Sequence, residues 1–296
     1  MKRKEFVNLI ATAAGMTTLT AFKNFTDHLD EQDVKMPVLF MGHGSPMNAI
    51  EDNEFSLRWR TMGKELPVPK AVLVVSAHWL TRGTYITAMS HPQTIHDFGG
   101  FPRELHEVQY AAPGDPELAR ETAALFKTTT VALDHDWGLD HGAWSVVKQM
   151  YPQANIPVLQ LSIDYHKPPQ YHYDLAKALS ALRKKGVLIL ASGNMVHNLR
   201  MIQVPPESNG NLNTEFGFDW TYELNSIFKD KILNGDHQAL INYEKLHKAA
   251  LMAIPTPDHY YPLLYALALY DRKEAQTIFN DKAVAGSVTM TSVKIG

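Results

Sequence analysis

The chain has no cysteine in its 296 residues. Disulfides, thiolate zinc sites, iron–sulfur clusters and a cysteine nucleophile are therefore excluded, while the compartment is left open. No stretch is apolar for long enough to span a bilayer. Basic blocks are missing beyond the first few residues and the formal net charge is −3, so no nucleic-acid partner is expected. Three catalytic signatures are also absent: H-E-x-x-H, G-x-x-x-x-G-K-[ST] and G-x-S-x-G. Ser45 in "GHGSP" lacks the nucleophile-elbow pattern, which leaves a serine hydrolase without support. Any metal site must use His, Asp or Glu, and fourteen histidines are available.

What is present suits one large domain. Hydrophobic residues make up 45% and charged residues 20%, an ordinary globular balance with enough apolar material for a sizeable core. β-rich apolar runs recur at 38–41, 71–76, 85–89, 129–133, 157–163 and 187–191. Helical patterns lie between them. "DPELARETAALFKT" offers Asp115 as an N-cap and Pro116 in the first turn; "YHYDLAKALSALRKKG" ends at Gly186, a natural helix stop. "TEFGFDWTYELNSIFKDKIL" and "HQALINYEKLHKAALM" read as two late helices, and "AVAGSVTMTSVKIG" as a final strand that can lie at an edge. The alternation predicts an α/β fold, a single domain over 36–296 with a central mostly parallel or mixed sheet flanked by helices. Residues 1–35 stand apart. Their basic start and Ala/Thr-rich apolar segment fit an export leader with a loose twin-arginine pattern, and equally a short amphipathic helix.

Histidines follow several of the apolar runs. His43 sits between Gly42 and Gly44 after the first; His78, then Trp79, follows the second; His197 follows the last. In open α/β sheets, ligands bind beyond the carboxyl ends of the strands, so the three can converge on one crevice. His259 lies in "TPDHYYPL", where Pro255, Pro257 and Pro262 hold a non-helical path. Several imidazoles without cysteine suit zinc or iron(II) better than calcium or magnesium. "HDFGGFP" flanks glycines with aromatics, as a loop approaching a planar ligand would, and an ordinary tight turn fits the same residues. "LDHGAWSV" repeats the His-Gly pair at His141, where Asp140 also reads as a helix cap. His28, His91, His106, His166, His172, His237 and His247 are read as surface or hydrogen-bonded residues.

Taken together, "GHGSPM", "SAHW", "HDFGGFP", "LDHGAW", "SGNMVHNL" and "PTPDHYYPL", in this order, resemble the 4,5-DOPA extradiol dioxygenase family of class III ring-cleavage dioxygenases. The resemblance runs from about Pro37 to the C-terminus. It implies an α/β fold with one divalent metal per chain, Zn(2+) or Fe(2+), iron being expected for O2 chemistry. It also implies a small aromatic catechol and O2 as substrates. His43, His78 and His259 match the metal ligands. His197 matches a residue that is either a further ligand or the acid/base group, and His141 a second catalytic histidine; the two roles are exchangeable. Ser45, Trp79, His96, Phe98 and Tyr260, with Phe101, are expected around the substrate; for the aromatics, plain core packing is the other reading. Family members are cytoplasmic, whereas a functional leader would make this chain periplasmic. Two rivals use fewer of the motifs: a non-redox zinc-binding relative, and a class II chelatase-like protein, which shares only "GHGS".

Overall fold

The structure, a computed structural model, describes residues 29–31 and 35–296. Eight strands form one sheet: β1 (Val38–Gly42), β2 (Ala71–Thr81), β3 (Thr84–Thr87), β4 (Val131–Asp134), β5 (Val158–Asp164), β6 (Val187–Gly193), β7 (Gln276–Phe279) and β10 (Ser292–Ile295). Their order is β4-β3-β5-β2-β6-β1-β10-β7. Strands β5, β2, β6 and β1 run parallel at the centre, and β10 pairs antiparallel with β1. Two short strands, β8 (Ala283–Val284) and β9 (Val288–Thr289), form a separate ribbon. The architecture is the expected mixed, mostly parallel α/β sheet.

The central strands are buried on both faces, which is why they read as continuous apolar runs. Alternate residues feed two cores. Leu39, Met41, Val72, Val74, Leu188 and Leu190 face one side, packed against Trp59 and Met62 of α1 (Glu54–Glu65) and Trp144 and Val147 of α3 (His141–Met150). Val38, Phe40, Leu73, Val75, Ile189 and Ala191 face the other. There they meet α2 (Pro116–Leu125), α4 (Pro169–Ala176), α5 (Asp219–Leu233) and α6 (Tyr261–Leu267). Helix starts follow local capping chemistry: Asn53 and Ser56 form a reciprocal box on α1, Asp115 caps α2 and Asp140 caps α3. Gly186 adopts φ +80° just past the helix that ends at Lys184, as a left-handed stop requires.

Two expectations are corrected. "HQALINYEKLHKAALM" is not one helix but short pieces, His237–Ile241, Tyr243–Lys245 and Ala250–Ala253. Its apolar residues are pulled toward the core through turns rather than along one stripe. The C-terminal strand β10 is not an edge; β7, which carries no strong alternation, covers it. Upstream of residue 36, Leu29 packs against the core and Lys35 pairs with Glu274 at 3.3 Å. Most of the expected leader, and His28, lie outside the described residues. No helix of the described residues is long and apolar enough to cross a membrane.

Candidate active site

The sheet order explains how distant histidines meet. β2, β6 and β1 are adjacent and parallel, so their carboxyl ends open on one side. His43 directly follows β1. His78 lies within β2 rather than after it, where the pairing with β5 slips between Val75 and Leu80. That irregularity releases the strand locally and turns the ring into the crevice. His197 comes four residues after β6. His259 arrives from the opposite direction: the loop before α6 lies over the end of β6, with Asn194 donating to the His259 carbonyl at 2.9 Å. Gly193 makes this approach possible, because a Cβ there would stand 2.2 Å from the same carbonyl. Gly44 has φ +59°, a conformation that favours glycine, and turns the chain sharply after His43.

His43, His78 and His259 place one potential ligand atom each within 4.8 Å of one another. The Nε2 atoms of His43 and His78 are 3.2 Å apart. The Nδ1 atom of each is engaged by an oxygen: Ser192 Oγ at 3.0 Å from His43, Asp97 Oδ2 at 3.3 Å from His78, Asp258 Oδ2 at 2.5 Å from His259. Oxygen partners on Nδ1 fix the rings and leave Nε2 for a metal, a typical support for metal-binding histidines. Ser192 in turn donates to the Gly142 carbonyl at 2.6 Å. The donor set therefore fits a divalent ion, with imidazole nitrogens facing it and a hydroxyl or carboxylate oxygen behind each ring.

Electrostatics follow the same division. Burial, reinforced by the other histidines, holds His43 and His259 well below the ordinary imidazole value. Burial also pulls on His78, but the carboxylates of Asp97, Asp140 and Asp258 outweigh it and the net shift is upward. His141 is lowered, by burial first and His78 next, against the pull of Asp97. Burial brings His197 down to about 4. Partial desolvation pushes Asp97 up, yet His141 and His78 outweigh it and hold it well below the usual carboxylate range. It lies 3.1 Å from His141 Nδ1, off the line of a hydrogen bond, and accepts from the His141 backbone N–H at 2.9 Å.

His43, His78, His141, His197 and His259 all line one cavity of about 370 Å³. Ser45, Phe98 and Phe101 line it too. His141 satisfies both of its readings, since it starts α3 beside the capping Asp140 and faces the cavity. The ring of His197 stacks on that of His259, with centroids 3.5 Å apart and planes 10° from parallel.

Trp79, His96 and Tyr260, expected against the substrate, do not line the cavity. Neighbouring strand residues point to opposite faces, so Trp79 turns away from His78 and stacks on Trp137. His96 Nε2 lies 2.9 Å from the Val108 carbonyl, beside the Phe98 ring. Tyr260 is fully buried in the core beneath His259, donating to the Leu240 carbonyl at 2.8 Å and packing on Tyr243 and Phe228. Asp97, Asp258 and Ser192 escaped the sequence reading as site residues. Each lies inside a motif singled out above, and Asp97 and Asp258 each adjoin a histidine, but nothing in the spacing separates a ring-orienting oxygen from a solvated one. His172 and His237, read as hydrogen-bonded bystanders, are buried on Tyr265 and Tyr173 hydroxyls.

The chain matches a family model, the catalytic LigB subunit of aromatic ring-opening dioxygenase, over residues 23–292. The chain belongs to that family and is an extradiol ring-cleavage dioxygenase. Among characterised relatives, it is 45% identical to 4,5-DOPA dioxygenase extradiol of Escherichia coli K12, over 88% of this chain and 95% of that one. It is 37% identical to the Beta vulgaris protein of the same name, over 84% and 92%. A crystal structure of an uncharacterized protein from Escherichia coli K12 superposes with a TM-score of 0.75 at 40% identity, covering 88% of this chain and all of that one. The match sets aside the chelatase-like reading. It also begins at residue 23, upstream of the boundary expected at residue 36.

Proposed function

We propose that this chain holds one divalent metal on His43, His78 and His259 and opens the ring of a catechol with O2, beside rather than between the hydroxyl-bearing carbons. Both oxygen atoms enter the product, a ring-opened semialdehyde. The observation that carries this is the matched trio of imidazoles, each with Nδ1 engaged by an oxygen. Iron(II), when bound, supplies open coordination positions and the redox activity that zinc lacks. DOPA, named for the relatives above, is the first catechol to test. The catalytic unit is assigned to residues 36–296, and residues 1–35 to an extension that already touches the core at Leu29 and Lys35.

His197 is the acid/base group in this reading rather than a fourth ligand. His43, His78 and His259 would hold the ion, and His197, stacked face to face on the His259 ring, would be left to handle protons beside it. With burial holding it neutral, His197 accepts a catechol proton and returns it as the ring opens. His141, fixed by its backbone bond to Asp97, orients oxygen or the second hydroxyl. Phe98 and Phe101 flank the ring and keep water out. Incubating iron-loaded protein with DOPA in air, beside a metal analysis of protein purified without added metal, tests the assignment. A yellow semialdehyde supports it. Full metal occupancy by zinc, with no product after iron exchange, supports the non-redox rival.

A further inference from the structure

One carboxylate meets two of the cavity histidines. Asp97 Oδ2 lies 3.3 Å from His78 Nδ1 and 3.1 Å from His141 Nδ1, and the His141 backbone N–H donates to Oδ1 at 2.9 Å. The two rings are themselves neighbours, with centroids 3.9 Å apart. His141 Nδ1 is buried, and no polar atom among the described residues holds it in a well-formed hydrogen bond, so Oδ2 is the acceptor it faces. His43 and His259 take their oxygens elsewhere, from Ser192 and Asp258.

The position of this carboxylate is set by backbone. Leu139 N–H donates to the Gln93 carbonyl at 2.8 Å and Ile95 N–H to the Leu139 carbonyl at 2.7 Å. The loop that carries Asp97 is thereby laced to the segment leading into His141. The Trp144 indole N–H adds a bond to the Ile95 carbonyl at 2.9 Å. Gly142 lets the start of α3 close onto His78, since a Cβ there would stand 2.8 Å from His78 Cδ2.

An ionised carboxylate only accepts, so a ring nitrogen held by it carries the hydrogen and the other ring nitrogen is left bare. Resting on the ring-opening reading for the second of its two roles, we propose that Asp97 is a positioning residue shared by His78 and His141. It fixes the same tautomer in both rings. His78 Nε2 is left for the metal, and His141 Nε2 is left to accept from a substrate hydroxyl. Asparagine, of the same shape, cannot do this. With its oxygen kept on the His141 N–H, its amide NH2 faces two ring nitrogens that must then accept, and their hydrogens move to Nε2. Turned over, the NH2 opposes the backbone N–H.

The test is 15N NMR of histidine-labelled, zinc-loaded protein, which reads the hydrogen position on each ring without turnover, beside chelator competition for zinc. The parent should carry hydrogen on Nδ1 of both His78 and His141, with His141→Ala identifying the second signal. Asp97→Asn should displace both signals and weaken zinc binding about 10–100-fold, the usual loss for a partner behind a metal-binding histidine. On iron-loaded protein at equal occupancy, His141→Ala should lower kcat in the parent and add little in Asp97→Asn, as two residues acting through one group do. Hydrogen on His141 Nε2 in the parent, or an Asp97→Asn spectrum altered at His78 alone, overturns the proposal. So do kcat losses that multiply, or a lowered melting temperature with both ring hydrogens in place, which marks a merely structural role. If Asp97→Asn does not fold, Asp97→Glu takes its place: a carboxylate one methylene further out cannot keep both contacts, and loss of either Nδ1–H signal supports the sharing. A parent that shows both tautomers and binds zinc, yet opens no catechol when iron-loaded, overturns the ring-opening reading while supporting the shared carboxylate.

Discussion

At the scale of single residues, the site separates histidines by what holds them. His197 has a stacked ring neighbour and lines the cavity, whereas His43 and His259 have oxygens behind them. His197→Gln is therefore expected to keep its metal and to lose roughly 10²–10⁴-fold in turnover, the usual range for a positioned acid/base group. Iron per chain measured alongside the rate checks this; metal lost in proportion to activity would make His197 a ligand. His172 is a different case. It is buried between the Tyr265 hydroxyl and the Lys167 carbonyl, and burial lowers its pKa to about 4. Unfolded, it titrates near 6.5. Between these values the unfolded chain takes up a proton that the folded chain refuses, so stability is full above pH ~6.5 and falls as the pH drops toward about 4. The gap is worth up to about 3 kcal/mol. Denaturant melts at pH 7, 5.5 and 4 should show a shallower fall in His172→Gln than in the parent. The sequence made the five cavity histidines visible through their motifs. It could not assign Trp79 or Tyr260, because an aromatic beside a ligand histidine looks the same whether it faces ligand or core.

At the scale of elements, the positions of His43 and His197 were legible because a buried parallel strand leaves a long apolar run and its end is easy to see. The slip within β2 was not, since "AVLVVSAHW" carries no mark of where pairing with β5 breaks. Nor was the fragmentation of the 237–253 region, where several short turns share one overall apolar content. The crossing of the His259 loop over β6 is the contact most sensitive to substitution. Gly193→Ala would drive a methyl into the His259 carbonyl. It is expected to cost about 1–3 kcal/mol, as overpacking does, and to weaken metal retention by displacing His259. Melting curves with and without chelator check both effects; unchanged metal affinity would mean that the loop is not held by this contact.

At the scale of the whole molecule, one sheet with cores on both faces brings together side chains more than 200 residues apart, from His43 to His259. Residues just before 36 also touch the domain, at Leu29 and Lys35. Met36 is buried and its carbonyl accepts from Arg183 Nε at 2.6 Å. A chain starting at residue 38 should melt several degrees lower than one starting at residue 29, given roughly 2–4 °C per kcal/mol for a domain of this size. Equal melting temperatures would place residues 29–37 outside the cooperative unit. The central claim is that His43, His78 and His259 share one catalytic metal. The most direct measurement is iron per chain together with semialdehyde formation from a catechol, in anaerobically reconstituted parent protein and His259→Ala. The account predicts one iron per chain and rapid product on admitting air to the parent, with both lost in the variant. A variant that retains its iron and opens the ring at the parent rate would contradict it.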